Sequence, residues 1–208
     1  MNIKSLENVK YDEVSKTYNI QDPSLFNNLS VELFPYEVQM GETMRPDLIM
    51  KSIYRNNIDV LEQFPNRLEA LVKNLSEAQL DTPYRPEGWT VRQVVHHVSD
   101  SHHHSYTRFK WSLTENKPLI KAYYEDRWAE LVDSKSAPIT MSLQHLKAIH
   151  TKLVYLLKHM TPEDFEKGFI HPETNRLVKL KENLAVYAWH GNHHYAHIEN
   201  LLKRKNWL

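Results

Sequence analysis

LAVYAWHGNHHYAHIENLL, residues 184–202, decides what kind of chain this is. At about 100° per residue, Leu184, Tyr187, Ala188, Tyr195, Ile198 and Leu202 gather on one side, the pattern of a helix with one buried face. Four histidines ride on the same helix. His190 and His194 are four apart, as are His193 and His197, and residues so spaced stand about 5–6 Å from each other at Cβ. Two imidazoles at that separation can share one metal ion. His194 and then His190 lie at the edge of the apolar face, whereas His193 points most nearly to solvent. The inward pair is therefore His190 and His194, with His197 close enough in angle to support it. A lone pair of this kind is a weak sign of metal, and Gly191 stands where a zinc peptidase helix carries its glutamate. Gly191 costs about 1 kcal/mol in a helix interior, which points to a close helix approach or to room above a site.

Three more helical patterns lie upstream. Pro46 opens the first at its first turn, and Ile49, Ile53, Ile58, Leu61, Phe64, Leu68 and Leu71 recur at helical spacing, with Pro65 predicting a kink. Residues 81–89 form a Pro/Gly loop. Thr90 and Gln93 make a capping box, followed by Val91, Val94, Val95 and Val98, and this second helix should run to about Asn116, before Pro118. The third spans Thr140 to His159 with Leu143, Leu146, Ile149, Leu153 and Leu156 inward; the fourth covers roughly 181–204. A short helix is expected near Glu125–Val132 and a helical turn after Thr161. Residues 169–179 read as two short strands around a Pro-Glu-Thr-Asn turn. The fold class is all-α, a four-helix bundle with a short β-hairpin before the last helix. Residues 1–45, with Pro23, Pro35, Gly41 and no sustained period, read as an extension packed on the body or partly flexible, and residues 46–208 as the bundle domain.

Composition narrows the function. Of 208 residues, Lys+Arg and Asp+Glu each number 26, so no net field favours nucleic acid or an anionic membrane. No apolar run approaches a membrane span, and the first residues lack a signal-peptide core, so a cytoplasmic location is expected. There is no Cys, which removes disulfides, thiolate zinc sites and a protein thiol nucleophile. The four glycines make neither a dinucleotide fingerprint nor a phosphate loop. Thirteen histidines remain as the chemical feature.

On the second helix, His102 falls on the Val94/Val98/Phe109 face and reads as a buried, hydrogen-bonded core residue; His103 reads as solvated. His96 and His97 flank the apolar face almost symmetrically, so spacing does not choose between them. His145, His150 and His159 show no mutual pairing and read as structural or surface residues, and His171 stays undecided.

The blocks LDTPYRPEGWTVRQVVHHVSDSH (80–102), SYTRFKWSLTE (105–115) and YAWHGNHHYAHI (187–198) resemble the YfiT-like branch of the DinB superfamily, over roughly residues 48–208. The resemblance implies a bundle with a metal held by one histidine of the second helix and two of the fourth. Matched by motif, these are His97, His190 and His194, and His97 is preferred to His96 on the resemblance alone. It also implies a homodimer, for which an aromatic content of 11% leaves apolar area. The implied chemistry is a metal-dependent hydrolase or a bacillithiol S-transferase.

Three imidazoles without thiolates suit zinc or nickel and leave a coordination position open, which indicates chemistry rather than a structural clip. The expected enzyme activates a low-molecular-weight thiol, which attacks a small-molecule electrophile. With no Cys in the chain, the thiol must arrive as a cosubstrate. Asp100, one turn from His97, is a candidate to orient an imidazole or accept a proton, and reads equally as a solvated carboxylate. Arg92, Arg108 and Tyr195 could bind thiol carboxylates, though a surface role is expected of each. Hydrolysis of a small amide or ester would use the same residues with water. A non-enzymatic metal-binding stress protein, its fourth ligand supplied by His197 or His171, is the alternative from outside enzymology.

Overall fold

The computed structural model describes residues 9–12, 17–20 and 46–208, with side chains from residue 54 onward. The chain divides into two units, Met1–Met44 and Arg45–Leu208. In the first, β1 (Val9–Asp12) and β2 (Thr17–Ile20) pair antiparallel, Val9 opposite Ile20 and Asp12 opposite Thr17. The expected packing or flexibility of residues 1–45, and the side chains of Ile49 and Ile53, lie outside the described residues.

The second unit runs α1 (Pro46–Val72), α2 (Glu77–Leu80), α3 (Val91–Thr114), α4 (Glu125–Ala129), α5 (Val132–Ser136), α6 (Ile139–Lys158), α7 (Pro162–Glu166), β3 (Gly168–His171), β4 (Arg176–Lys179) and α8 (Leu180–Arg204). The four long helices are those the apolar periodicity predicts. Thr90 caps α3 in the expected box, its side chain accepting from Gln93 N while Gln93 Oε1 accepts from Thr90 N. The helix stops at Thr114, two residues short of Asn116. β3 and β4 pair antiparallel, and Asn175 closes their turn at φ 50°, a conformation asparagine tolerates. α1 runs unbroken through Pro65. No helix among the described residues is long and apolar enough to cross a membrane.

α1 packs on α6 and α8, and α3 packs on the same two. Among the long helices, then, α1 faces α3 across one diagonal and α6 faces α8 across the other, and only the α3–α6 link joins neighbours. At Gly191 of α8 an added Cβ would sit 3.2 Å from three ring atoms of Phe64, so this glycine serves close approach to α1.

The apolar core comes in two parts. One gathers Phe64, Leu68, Val94, Val98, Leu146 and Ile198, the other Ile58, Leu61, Phe109, Leu153, Leu184 and Tyr187. Along every long helix the two sets are separated in sequence, and the buried positions between them include His102 on α3, His150 on α6 and His194 on α8.

Candidate metal centre

His97 on α3 meets His190 and His194 on α8, as the matched motif implies. One ligand atom from each lies within 4.8 Å of the others, and no further His, Asp or Glu among the described residues joins the group. His97 Nε2 stands 3.3 Å from His190 Nε2. The rings are arranged edge to face, with centroids 4.8 Å apart for His97 and His194 and 4.5 Å for His190 and His194.

Desolvation makes these imidazoles poor bases. Burial pushes His97 down to about 4. Burial, with His97 and His193 nearby, takes His190 to about 3, and His194 is driven lower still by burial and by its imidazole neighbours. At neutral pH all three are uncharged and offer lone pairs, the form a metal requires. Two imine nitrogens at 3.3 Å need either a shared proton or a cation between them. His194 Nδ1, moreover, is buried with no hydrogen-bond partner. The donor set fits a divalent cation.

Partners from α6 and its approach separate His96 from His97. His96 Nε2 donates to the Ala137 carbonyl at 3.1 Å, and its Nδ1 accepts from Ser142 Oγ at 2.7 Å, so both nitrogens are committed. His97 instead lies under the Trp89 ring at 4.7 Å. The loop before α3 supplies this cover and also Tyr84, which stacks flat on His197 at 4.3 Å. His193, expected toward solvent, is half-buried against Trp189, with ring centroids 4.6 Å apart.

Asp100 is half-buried and hydrogen-bonds none of the three histidines; burial and Asp133 raise its carboxyl to about 6. The surface role expected of Arg92 is corrected. It is buried, bonded to Glu77, Asp81 and the Ala137 carbonyl, because α2 and the following loop bring two carboxylates over the start of α3. Arg108 lies over Phe169 and donates to Tyr187 Oη at 3.3 Å, while Tyr195 packs under Arg67. His102 is buried, as its helix face predicts, but it also reaches His190 Nδ1, at 3.2 Å. Sequence spacing on one helix carries no signal for that contact. His103, His104, His145, His159 and His171 stand outside the group.

Residues 61–198 match the DinB superfamily. Proteins described as “Putative metal-dependent hydrolase” from Bacillus cereus (strain 03BB102) and Bacillus thuringiensis subsp. konkukian (strain 97-27) are each 55% identical over 150 residues, covering 72% of this chain and 86% of theirs. Among solved structures, YfiT from Bacillus subtilis, described as “a probable metal-dependent hydrolase with an unusual four-helix bundle topology”, aligns with a TM-score of 0.74 and 42% identity, over 87% of this chain and 99% of that one.

Proposed function

The chain belongs to the DinB superfamily, and on that premise we propose that it is a metal-dependent enzyme that transfers a small thiol to an electrophilic substrate. The observation that carries the metal dependence is the meeting of His97, His190 and His194 within 4.8 Å without a fourth protein ligand among the described residues. Zinc or nickel suits three neutral imidazoles. Such an ion, when bound, supplies the Lewis acidity that deprotonates a thiol or acidifies a water near neutral pH.

The protein's own groups do the rest. The three histidines, themselves uncharged, would hold the ion and leave its positive charge to act on the nucleophile. Trp89 and the bundle walls keep bulk water from His97. Asp100, the only carboxylate of α3, is our candidate proton acceptor. With no cysteine in the chain, the thiol comes as cosubstrate, bacillithiol in this reading, and only a few per cent of a free thiol with pKa about 8.5 is ionised at neutral pH. Full deprotonation, were the ion to supply it, would raise the nucleophile population by about one to two orders of magnitude. We further propose that the enzyme acts as a homodimer.

A second reading, hydrolysis of a small ester or amide, is favoured by the descriptions the relatives carry. Thiol conjugation and ester or amide cleavage, measured side by side on zinc- or nickel-loaded full-length protein, decide between them. The expected result is conjugation that falls with chelator and vanishes in His97→Ala. Conjugation unchanged after metal removal refutes the thiol reading; cleavage without conjugation replaces it with the hydrolase.

A further inference from the structure

Pro65 lies inside α1, and a proline there removes the N–H that would bond the carbonyl four residues back. That carbonyl is Leu61's, and His150 on α6 takes it, Nδ1 lying 2.6 Å from the oxygen. His150 Nε2 lies 2.8 Å from His102 Nδ1 on α3, and His102 Nε2 lies 3.2 Å from His190 Nδ1 on α8. The contacts cross all four long helices and end on a residue of the metal centre.

One group sets their direction. A carbonyl oxygen can only accept, so His150 Nδ1 carries a proton and donates it. A neutral imidazole has a single N–H, so His150 Nε2 accepts, and His102 Nδ1 is its donor. The same step makes His102 Nε2 the acceptor of the His190 Nδ1–H. His190 Nε2 is left with its lone pair, facing His97 Nε2 at 3.3 Å. Water does not compete along this path. His102 is 0% exposed and His150 1%, and the Phe64 ring lies against both, with centroids at 5.6 and 5.8 Å.

We propose that the Leu61 carbonyl freed by Pro65, together with His150 and His102, forms a one-way hydrogen-bond relay that fixes the tautomer of His190 and presents its Nε2 to a divalent cation. His102 and His150 are thus positioning residues of the metal centre, and Pro65 is its remote anchor. The proposal rests on the reading of His97, His190 and His194 as cation ligands. Partners that orient a ligating imidazole are worth about 10–100-fold in metal affinity.

Two measurements on the full-length chain test it. Long-range proton–nitrogen correlation spectra of the metal-free wild type, at about pH 7.5 where these imidazoles are neutral, report which ring nitrogen carries the proton. His150, His102 and His190 are each expected as the Nδ1–H form, a result that needs no variant to fold. Zinc affinity by chelator competition is the second. Pro65→Ala returns an N–H that closes onto Leu61 O and competes with His150, so zinc should bind about 10–100-fold more weakly although alanine is the better helix former. His150→Phe should weaken it comparably. A proton on Nε2 of His102 or His150 overturns the relay alone, as do two variants that bind zinc as tightly as wild type. A wild type that binds no zinc overturns the metal-centre reading itself, and the relay's role with it.

Discussion

Metal-free protein is expected to lose stability steeply as pH falls below about 6.5, because buried imidazoles must stay uncharged for the bundle to close. His97 and His150 are each held at about 4 by desolvation, and they are 8% and 1% exposed. In an unfolded chain both would titrate near about 6.5. Between those values the unfolded state binds protons that the folded state refuses, so stability is full above the upper value and drains away toward the lower one. Each group is worth about 1.4 kcal/mol per pH unit, and the pair therefore removes about 4 kcal/mol between about pH 6.5 and 5. His190, held at about 3, adds to the loss. Asp100 opposes it, since a carboxyl raised to about 6 takes up its proton first in the folded state. Against a total stability of about 5–15 kcal/mol, the net loss is large. Urea unfolding of chelator-treated protein, followed by tryptophan fluorescence across this range, measures it. At a slope of about 2 kcal/mol/M the midpoint should fall by about 2 M. On the proposed ligand set, saturating zinc would compete with protons for His97 and His190 and should recover much of the loss. Unfolding free energies that agree within about 1 kcal/mol at about pH 7 and 5 would refute the claim that these imidazoles are folded as buried neutral groups.

Elemental analysis should show most metal lost from His190→Ala and from His194→Ala but retained in His193→Ala and His96→Ala; equal losses in all four would mean the ligand set is misassigned. Gly191→Ala places a Cβ 3.2 Å from the Phe64 ring, and overpacking of about 1–3 kcal/mol should outweigh the roughly 1 kcal/mol gained in helix propensity, so Tm should fall. Arg92→Ala leaves Glu77 and Asp81 in water, their side chains 81% and 58% exposed, so no buried charge is stranded. Its destabilisation in urea should stay near about 1–3 kcal/mol, below the roughly 3–5 kcal/mol of a broken buried pair. Light scattering should give about twice the 24.7 kDa chain mass, and a monomer at micromolar concentration would reject the dimer.

The parts of the site that could be read from residues alone are those set by one helix. His190 and His194 share an edge of the apolar face of α8, and four-residue spacing suffices to pair them. Thr90 and Gln93 mark the start of α3 for the same local reason. His97 was beyond spacing, because it and His96 flank the α3 face almost equally; resemblance to a family singled it out. The structure shows the physical ground, which is that Ser142 and Ala137, near the start of α6, occupy both nitrogens of His96. Arg92 reads as a surface residue from sequence because its carboxylate partners lie 11 and 15 positions upstream, on elements whose placement over α3 no periodicity encodes. His150 was equally opaque. It has no partner at helical spacing, and what it binds is a carbonyl on another helix. In hindsight one local mark existed. Pro65 announces that the carbonyl of Leu61 needs a donor from elsewhere.

Stability alone does not account for five neighbouring imidazoles, His97, His102, His150, His190 and His194, in the interior of the bundle. Leucine or isoleucine there would extend the apolar core, and removing buried polar groups in favour of well-packed apolar ones is often neutral or stabilising. The way the group is satisfied shows what it serves. At the α1 end, His150 and His102 have partners on both nitrogens. At the α3–α8 end His190 Nε2 and His97 Nε2 share one contact at 3.3 Å, and His194 Nδ1 is buried without a partner. A structural polar network would close this end as it closes the other. Among the five imidazoles the unpartnered nitrogen falls on His194, where three neutral rings converge, and a divalent cation held by His97, His190 and His194 is the partner we propose for that end.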